Sequence, residues 1–576
     1  MVAKKETVAK KKTIGKEKPK KENQKSKKIS LDHDFSFNLL TEPWLPVVTM
    51  KAEKKLLSLN EFLKSAHELE RFDFPLPGLE TAVIRFLVAI VYIVGAPKDK
   101  EDWEAWYNAG KFYDSFIKEL QSYKDKLDLF SKTEPFMQEV NITEDKVKSR
   151  TKFKIIDFIP SGNNSIHFGN IDLKKKEEIY ISPQAAILLL LFHQMIPRSL
   201  AAGSNERYIN GIIGQSIPYF CYLKSSNLFE SILANVLDEK YIKDNLEGKV
   251  LTELNGWNQL KVNKDLKAKE ISLPLGFLWK SRSILFLPEQ GIEKVCSILG
   301  IKSNISISKF CYAPQKHILL NKDESPWEDP FNAIKIVTET NKKGNKKSVI
   351  KKLKPSGKML PAWKDYPVLI MFDNNQTANG TKERKISPPL ILQRILKYKN
   401  KPLIFSVLTI TTKDGQDKIF QIEESSFPFN PRFVLDEQVA TKIKTIVKFT
   451  KKFENHLTKS LFKAMDYDEK IKKLPENKKK KKELELQKVI SSLFQSSYWY
   501  ELGSAFEESL FKLSGDEDSN QVLQNWKKML ASHVRDTFKR HTRKLISNPK
   551  NLKAYENGRR YLESMINKEL LPKEKK

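Results

Sequence analysis

The spacing of apolar residues changes character along the chain, and each change predicts a different kind of element. Residues 35–48 are apolar, proline-punctuated and extended in pattern, the signature of a strand pair. Helical spacing follows at 61–70, 79–94 and 103–123, and the second segment is mostly apolar, which predicts a buried helix. Loop-rich sequence leads to further apolar helices at 183–195 and 227–236 and to a short strand within 276–287. The lysine-rich, glycine-interrupted stretch 341–358 reads as a surface loop. Two strand-like segments, 403–412 and 418–422, are joined by Lys413-Asp-Gly-Gln-Asp417. They read as a hairpin, because Asp-Gly suits the tight turn that such strands require.

Beyond Pro428-Phe-Asn-Pro431 glycine and proline become sparse and the helical period dominates. Helices are expected at 437–465, 483–494, 501–513, 520–545 and 549–568, the last with Asn548 as N-cap and Pro549 at the first helical position. The lysine run 478–482 falls between two of them as a loop. The pattern predicts a large mixed N-terminal domain of helices and strands over 35–433 and a C-terminal helical bundle over 434–570. Residues 1–34 form a basic arm in front of both. Its first 28 residues hold twelve lysines, three acids and almost no large apolar side chain, so burial there does not offset the ordering entropy and the arm is expected to be disordered. Nonspecific nucleic-acid contact and solubility are both open as its role.

At 576 residues the chain is long enough for two or three domains. Lysine and arginine total 102 against 71 acids, a net charge of +31 that points to a polyanionic partner, nucleic acid or an anionic membrane surface. Lysine far outnumbers arginine, and an AT-rich genome would produce the same bias. Cys221, Cys296 and Cys311 are widely spaced and form no CxxC pair, which supports neither a disulfide scaffold nor a cysteine zinc site. The most apolar runs, 86–96 and 185–192, are shorter than the roughly 20 residues a membrane span needs. No apolar segment follows the basic N-terminus, so a secretory signal is not indicated, and the expectation is a soluble cytoplasmic protein.

A search for catalytic chemistry is negative. The sequence has no GxxxxGK[ST] phosphate loop, no HExxH and no GxSxG. None of the eight histidines pairs with another at i, i+4; His193 lies on an apolar helix as a core residue, and His533 and His541 are expected to be solvated. Neither a metal nor another cofactor is expected. Three features suit DNA better. Ser161-Gly-Asn-Asn164 is a small-residue loop that lets backbone amides approach a ligand closely, although alone it is also an ordinary turn. Gly415-Gln416 at a hairpin tip presents a planar amide able to enter between base pairs, although alone it too is a turn. Lys261, Lys264, Lys267 and Lys269 form a basic run that reaches phosphates or minor-groove acceptors if it is not simply a solvated face.

The order of several motifs carries more than any one of them. Phe37-Asn-Leu-Leu-Thr-Glu-Pro-Trp-Leu-Pro-Val47 closely resembles the opening of the CasA large-subunit family of type I-E CRISPR Cascade. Glu134-Pro-Phe-Met-Gln138, the Ser161–Asn164 loop and Leu278-Trp-Lys-Ser-Arg-Ser-Ile-Leu285 follow in family order. Residues 408–416, leading into Phe427-Pro-Phe429, and then Ser497-Tyr-Trp-Tyr-Glu-Leu502 complete the series. The resemblance covers about residues 36–560. It implies an α+β domain followed by a four-helix bundle, and a non-enzymatic subunit of an RNA-guided complex. The implied partners are target duplex DNA, the guide RNA with its 5′ handle, the backbone, small and handle-binding subunits, and a helicase–nuclease or another nuclease.

Residue by residue, the resemblance gives Ser161, Gly162, Asn163 and Asn164 the role of the family's glycine loop, which contacts the protospacer-adjacent motif from the minor groove. Gln416 matches the family's glutamine wedge; its neighbours here are Gly415 and Asp417 where the family usually has Asn and Ala. Lys261 is the first match for the family's minor-groove lysine and Lys264 the next. Phe136 falls in the motif of a loop that contacts the guide-handle end of the complex, and a core aromatic is the other reading of it. The basic stretch 527–544 is expected to guide displaced DNA and to pack on neighbouring subunits. Two rival functions are an autonomous nuclease and a sequence-nonspecific basic RNA-binding scaffold; neither accounts for the ordered motifs.

Overall fold

The proline-punctuated opening is organised by two side chains, Asn38 and Trp44. Asn38 accepts a hydrogen bond from the Leu40 N–H and donates to the Lys124 carbonyl, and the buried Trp44 indole N–H donates to the Leu39 carbonyl. A computed structural model describes this region as part of residues 33–140, 142, 150–151, 179–196, 217–246, 271–314, 327–340, 346–356, 359–376, 383–398, 401–412, 419–467, 471, 474–515 and 517–571. The expected strand pair is β1 (Leu45–Thr49) and β2 (Lys54–Leu57). Next comes α1 (Leu59–Ser65), held by a capping box between Ser58 and Glu61. The helix expected to reach 70 ends early, because residues 69–72 form β3 (Leu69–Phe72) and Phe72 and Arg71 pair with Val47 and Val48 of β1. Pairing with a distant strand overrides local helical spacing there.

Helix α2 (Leu79–Val94) is buried along nearly its whole length, as its composition predicts. The single helix expected over 103–123 is two, α3 (Lys100–Ala109) and α4 (Asp114–Leu120), separated at Gly110, whose φ of +70° suits glycine. A two-residue strand β4 (Arg150–Thr151) follows, then α5 (Pro183–Met195), opened by a Ser182 cap and packed against α2. His193 on α5 is buried, in accord with a core role. Strand β5 (Phe220–Lys224) leads to α6 (Leu228–Ala234), α7 (Glu239–Asn245) and α8 (Leu273–Phe277).

The short strand expected within 276–287 is a long one, β6 (Arg282–Val295), paired with β7 (Lys302–Pro314) in a sheet of order β4-β7-β6. Within the surface loop expected over 341–358, residues 346–352 are strand. β8 (Ile334–Thr340) pairs with β9 (Lys346–Lys352), and the β-branched matches Ile336–Ile350 and Val337–Val349 account for strand formation despite the lysines between them. After α9 (Tyr366–Ile370), strands β10 (Asp373–Gln376) and β11 (Glu383–Ser387) complete a sheet of order β10-β11-β8-β9. Helix α10 (Leu390–Tyr398) precedes the hairpin of β12 (Leu403–Thr412) and β13 (Ile419–Phe429), whose sheet has the order β13-β12-β5. The second hairpin strand thus runs seven residues past its expected end at 422.

From Arg432 the described chain is helical: α11 (Arg432–Leu435), α12 (Glu437–Ala464), α13 (Glu476–Glu501), α14 (Gly503–Ser514), α15 (Ser519–Ile546) and α16 (Leu552–Glu569). The lysine run 478–482 is not a loop but lies within α13, where lysine is an acceptable helix former and Lys482 reaches Glu485. Asn548 caps a short 3-10 turn, Pro549–Asn551, ahead of α16. Helices α12, α13, α15 and α16 pack together around Phe453, Leu457, Tyr498, Trp526 and Val534. Gly558 of α16 lies so close to α12 that a Cβ would stand 2.5 Å from the Ser460 carbonyl oxygen.

One hydrophobic cluster runs from Phe37 to Leu570 and so joins the mixed region to the helical one. Inside it, Arg85 of α2 pairs with Asp329 at 2.9 Å, both fully enclosed, and its guanidinium lies 4.7 Å from the Phe277 ring centre. Removing one partner leaves the other charged and buried, so Asp329→Ala is expected to lower unfolding free energy by about 3–5 kcal/mol, read from urea denaturation.

His533 is largely buried and His541 partly buried, rather than fully solvated as expected. His533 makes a 3.1 Å hydrogen bond with the Tyr498 carbonyl, and His541 packs edge-on to Phe494. His456 bonds the Tyr561 hydroxyl. Burial is the first cause that depresses the pKa of all three below the ordinary histidine value, outweighing Glu569 beside His456 and Glu501 beside the other two. The folded state therefore binds these protons less readily than the unfolded chain. Their contribution to stability is complete above the unfolded pKa of about 6.5 and is lost as pH falls through the depressed values. Urea midpoints should decline on acidification across that window, and His533→Gln should flatten the decline.

Candidate nucleic-acid interface

Six of the expected DNA-facing positions, Ser161, Gly162, Asn163, Asn164, Lys261 and Lys264, lie outside the described residues, as do the wedge pair Gly415 and Gln416. What the structure describes is the strand pair on either side of Gly415 and Gln416. The last register pair of its hairpin is Thr412 with Ile419, just after a bulge at Thr411/Thr412.

That hairpin is anchored on both faces by consecutive glutamates, which alternation along a strand sends to opposite sides. Glu424 accepts from the Gly78 N–H at 2.9 Å, from the Thr81 hydroxyl at 2.6 Å and from the Tyr222 hydroxyl at 3.0 Å. Two of these donors open α2, where a carboxylate also meets the positive end of the helix dipole. Beside them Glu80 pairs with Lys224 at 2.9 Å; burial raises its pKa while Lys224 opposes the rise. On the other face, Glu423 accepts from the Tyr500 hydroxyl and from Gln421 Nε2 at 2.8 Å, and Gln421 also donates to the Tyr500 oxygen at 2.6 Å. Burial and then the Glu423 bond push the Tyr500 hydroxyl well above the usual tyrosine pKa.

Tyr500 belongs to α13, so the helical region holds the hairpin directly. The same contact continues inward. The Trp363 indole N–H donates to the Trp499 carbonyl at 3.1 Å, and its ring packs on Trp499, Phe506 and Trp526. Phe427 of β13 meets Phe506 of α14 edge-on. Tyr498 donates to the Thr450 carbonyl and the Trp499 indole to Glu454, tying the Ser497–Leu502 motif to α12 as well.

Phe136 is described, and its ring is in the core, 1% exposed and edge-on to Phe86 of α2. Its motif neighbours are stitches. Gln138 donates to the Leu129 carbonyl at 2.6 Å and accepts from the Phe286 N–H, while Gln194 donates to the Met137 carbonyl. The part of this loop that meets solvent is 131–134, where Lys132 pairs with Asp34 and Glu134 with Lys126. Residues that sequence reasoning did not single out, Gln421, Glu423, Glu424 and Trp363, set the hairpin's position. The only signal for them was the aromatic density of 497–502 and the acids just after the expected strand end.

Among the described residues no group of three or more His, Cys, Asp or Glu side chains is arranged to hold a metal ion, and no helix is long and apolar enough to cross a membrane. Loss of the Tyr500 hydroxyl should loosen only the outer hairpin. Tyr500→Phe is expected to cost about 1 kcal/mol and to accelerate amide exchange in β12 and β13 while α2 stays protected, measured by hydrogen exchange with mass spectrometry.

Comparison with known proteins fits this architecture. The family model of CRISPR-associated protein Cse1 matches residues 38–537. CRISPR-associated protein CasA/Cse1 of Thermus thermophilus is 28% identical over 207 residues, 35% of this chain and 39% of that protein, so the aligned part spans well under half of that curated relative. The crystal structure of Thermobifida fusca Cse1 superposes with a TM-score of 0.69 at 17% identity, covering 93% of this chain and 99% of the other. A chain of a structure titled CRISPR RNA-guided surveillance complex superposes with a TM-score of 0.61 at 16% identity, over 92% and 99% of the two chains. With 500 residues matched in order by the family model, the chain belongs to the CRISPR-associated Cse1 family.

Proposed function

We propose that this chain is the large subunit of a type I-E RNA-guided surveillance complex, where it reads a short motif in duplex DNA and starts strand separation. The observation that carries the reading is the family match over 38–537. The similarity to a chain of an RNA-guided surveillance complex and the hairpin braced on both faces support it. In this reading the Ser161–Asn164 loop and Lys261 or Lys264 hold the motif from the minor groove, and Gln416, flanked by Gly415, occupies the space between the first base pairs beyond it. The loop around Phe136 faces the guide-handle end through its exposed residues 131–134. The mixed domain over 35–433 supplies recognition, and the bundle from 434 packs on the backbone and small subunits.

The energetics favour a small, well-placed wedge. Unstacking one base step costs a few kcal/mol. Pairing of guide RNA with target then roughly balances the DNA duplex it replaces, so a modest protein-supplied bias decides whether opening begins. Anchoring both faces of the hairpin keeps that bias from being lost to hairpin motion. The chain supplies no cutting chemistry in this reading; a recruited helicase–nuclease or another nuclease does. Minor-groove readout is degenerate, so several related motifs are tolerated.

The test is R-loop formation by the reconstituted guide complex on a duplex library with a randomised motif. The wild-type complex should enrich a small set of related motifs, and Gln416→Ala should slow opening by about 10-fold or more, the effect of at least 1.4 kcal/mol in a barrier. Equal opening of all duplexes would instead fit a nonspecific scaffold, and metal-dependent cleavage by the purified chain would fit a nuclease.

A further inference from the structure

Helix α12 buries three of its sides against α13, α15 and α16 and leaves one narrow ridge in solvent. From 441 to 459 the exposed residues are Thr441, Lys444, Lys448, Lys451, Lys452, Asn455 and Lys459. Five of the seven are lysines, and none is acidic or apolar. Lys452 pairs with Glu569. Lys444, Lys448, Lys451 and Lys459 have no carboxylate partner among the described residues. Their spacing of four, three and eight residues keeps them in one file, about 22 Å long at 1.5 Å per residue. Like charges three and four residues apart oppose one another on a helix, so folding by itself does not favour this arrangement. The only acid of the helix beyond its first turn, Glu454, faces inward and is used by Gln495 and Trp499.

Part of the basic stretch that the sequence alone brings forward, 527–544 on α15, is spent differently, while Lys528, Lys539, Arg543 and Lys544 there are exposed. Arg535 is held by Glu563 through two nitrogens, Arg540 is paired with Glu501, and Lys527 lies over the Phe449 ring. The two arginines are thus neutralised within the bundle, whereas the four lysines of the α12 file are not paired with a carboxylate among the described residues.

We propose that the exposed ridge of α12 is a second, sequence-independent site that holds the phosphate backbone of a nucleic acid. An acidic protein surface is the poorer occupant, because protein interfaces are built around apolar and aromatic anchors and the ridge exposes none. A phosphate chain needs no such anchor. One strand carries a charge about every 3.4 Å along a duplex axis, so the ridge spans about six phosphates, enough to engage all four lysines. The site does not depend on the Ser161–Asn164 loop or on Gln416, and it binds whether or not the motif is read.

Binding of the full-length chain to a fluorescein-labelled oligothymidylate of about 20 nucleotides, followed by anisotropy across a salt series, tests this. Replacing Lys444, Lys448, Lys451 and Lys459 together by Gln should weaken binding by about 10-fold or more at low salt. The slope of log affinity against log salt should fall by about 3, close to 0.7 for each phosphate that is no longer neutralised. The matching Lys→Arg variant should retain binding, and the thermal melt of both should be that of the wild type. A control that replaces Lys478, Lys480, Lys481 and Lys482 by Gln carries the same change in net charge. Equal losses in ridge and control variants would reduce the effect to overall charge and overturn the proposal, as would no loss in the ridge variant. Displacement of the oligonucleotide by polyglutamate at equal charge concentration would overturn it in favour of an acidic protein partner. The same titration with a duplex of equal length shows whether the backbone held is that of a single strand or a duplex. Gln416→Ala should bind the oligonucleotide like the wild type even if it fails to open duplexes, which separates this site from the motif-reading one.

Discussion

The Trp363 indole is the contact on which the arrangement of this molecule depends. It lies on a short turn of the mixed region, yet all its aromatic neighbours, Trp499, Phe506 and Trp526, belong to helices beyond residue 475. Its N–H is satisfied by the Trp499 carbonyl, so a large ring is buried with no unpaired donor. Because Tyr366 and Phe427 reach the same Phe506, the strand that bears the hairpin shares a core with the helices. A close-packed interior transmits displacement, so helices and hairpin are constrained to move as neighbours.

Several polar groups within this core are held in the same way. Arg85 has Asp329, Glu454 has Gln495 and Trp499, and the fully buried Arg394 donates to the Leu233 and Ala234 carbonyls while facing Trp103 and Tyr398. Burial holds the Arg394 pKa down to about 10, still far above neutrality, so the guanidinium is charged under ordinary conditions. Removing a partner from such a group leaves a buried charge uncompensated, which is costly. Glu423 and Glu424 extend the same logic to the surface: adjacent residues, opposite faces, each fixed to a different part of the fold.

The motifs that carried the family resemblance proved to be mostly framework. Trp44, Phe136, Gln138, Trp279 and Trp499 bury aromatic rings or bond backbone groups, and Tyr500 bonds the Gln421 and Glu423 side chains of a strand distant in sequence. That is why their order along the chain was informative: each marks a junction of the fold. It is also why the resemblance found the family more readily than it assigned contacts, since a residue such as Phe136, expected to lie in a contact loop, has its ring turned into the core. The partners of those junctions were not legible. Glu423 and Tyr500 lie 77 positions apart, and Trp363 and Trp499 lie 136 apart.

Sequence by itself determined the elements whose periodicity is long and uninterrupted, among them Leu79–Val94, Pro183–Met195 and Leu403–Thr412, and the mainly helical character of the described residues beyond Arg432. Local spacing suffices there because the buried face repeats within the element. Tertiary structure decided the rest. It turned residues 69–72 into a strand, because β1 offers an open edge, and it made residues 346–352 a strand, because Val349 and Ile350 find Val337 and Ile336 opposite them. It also chose which cations are paired: Arg535 and Arg540 on α15 meet glutamates from α16 and α13, and Lys452 on α12 meets Glu569, whereas Lys444, Lys448, Lys451 and Lys459 on the outer ridge of α12 meet none among the described residues. Charge can be counted along a chain, but whether a charge is neutralised depends on which surfaces the packing brings face to face.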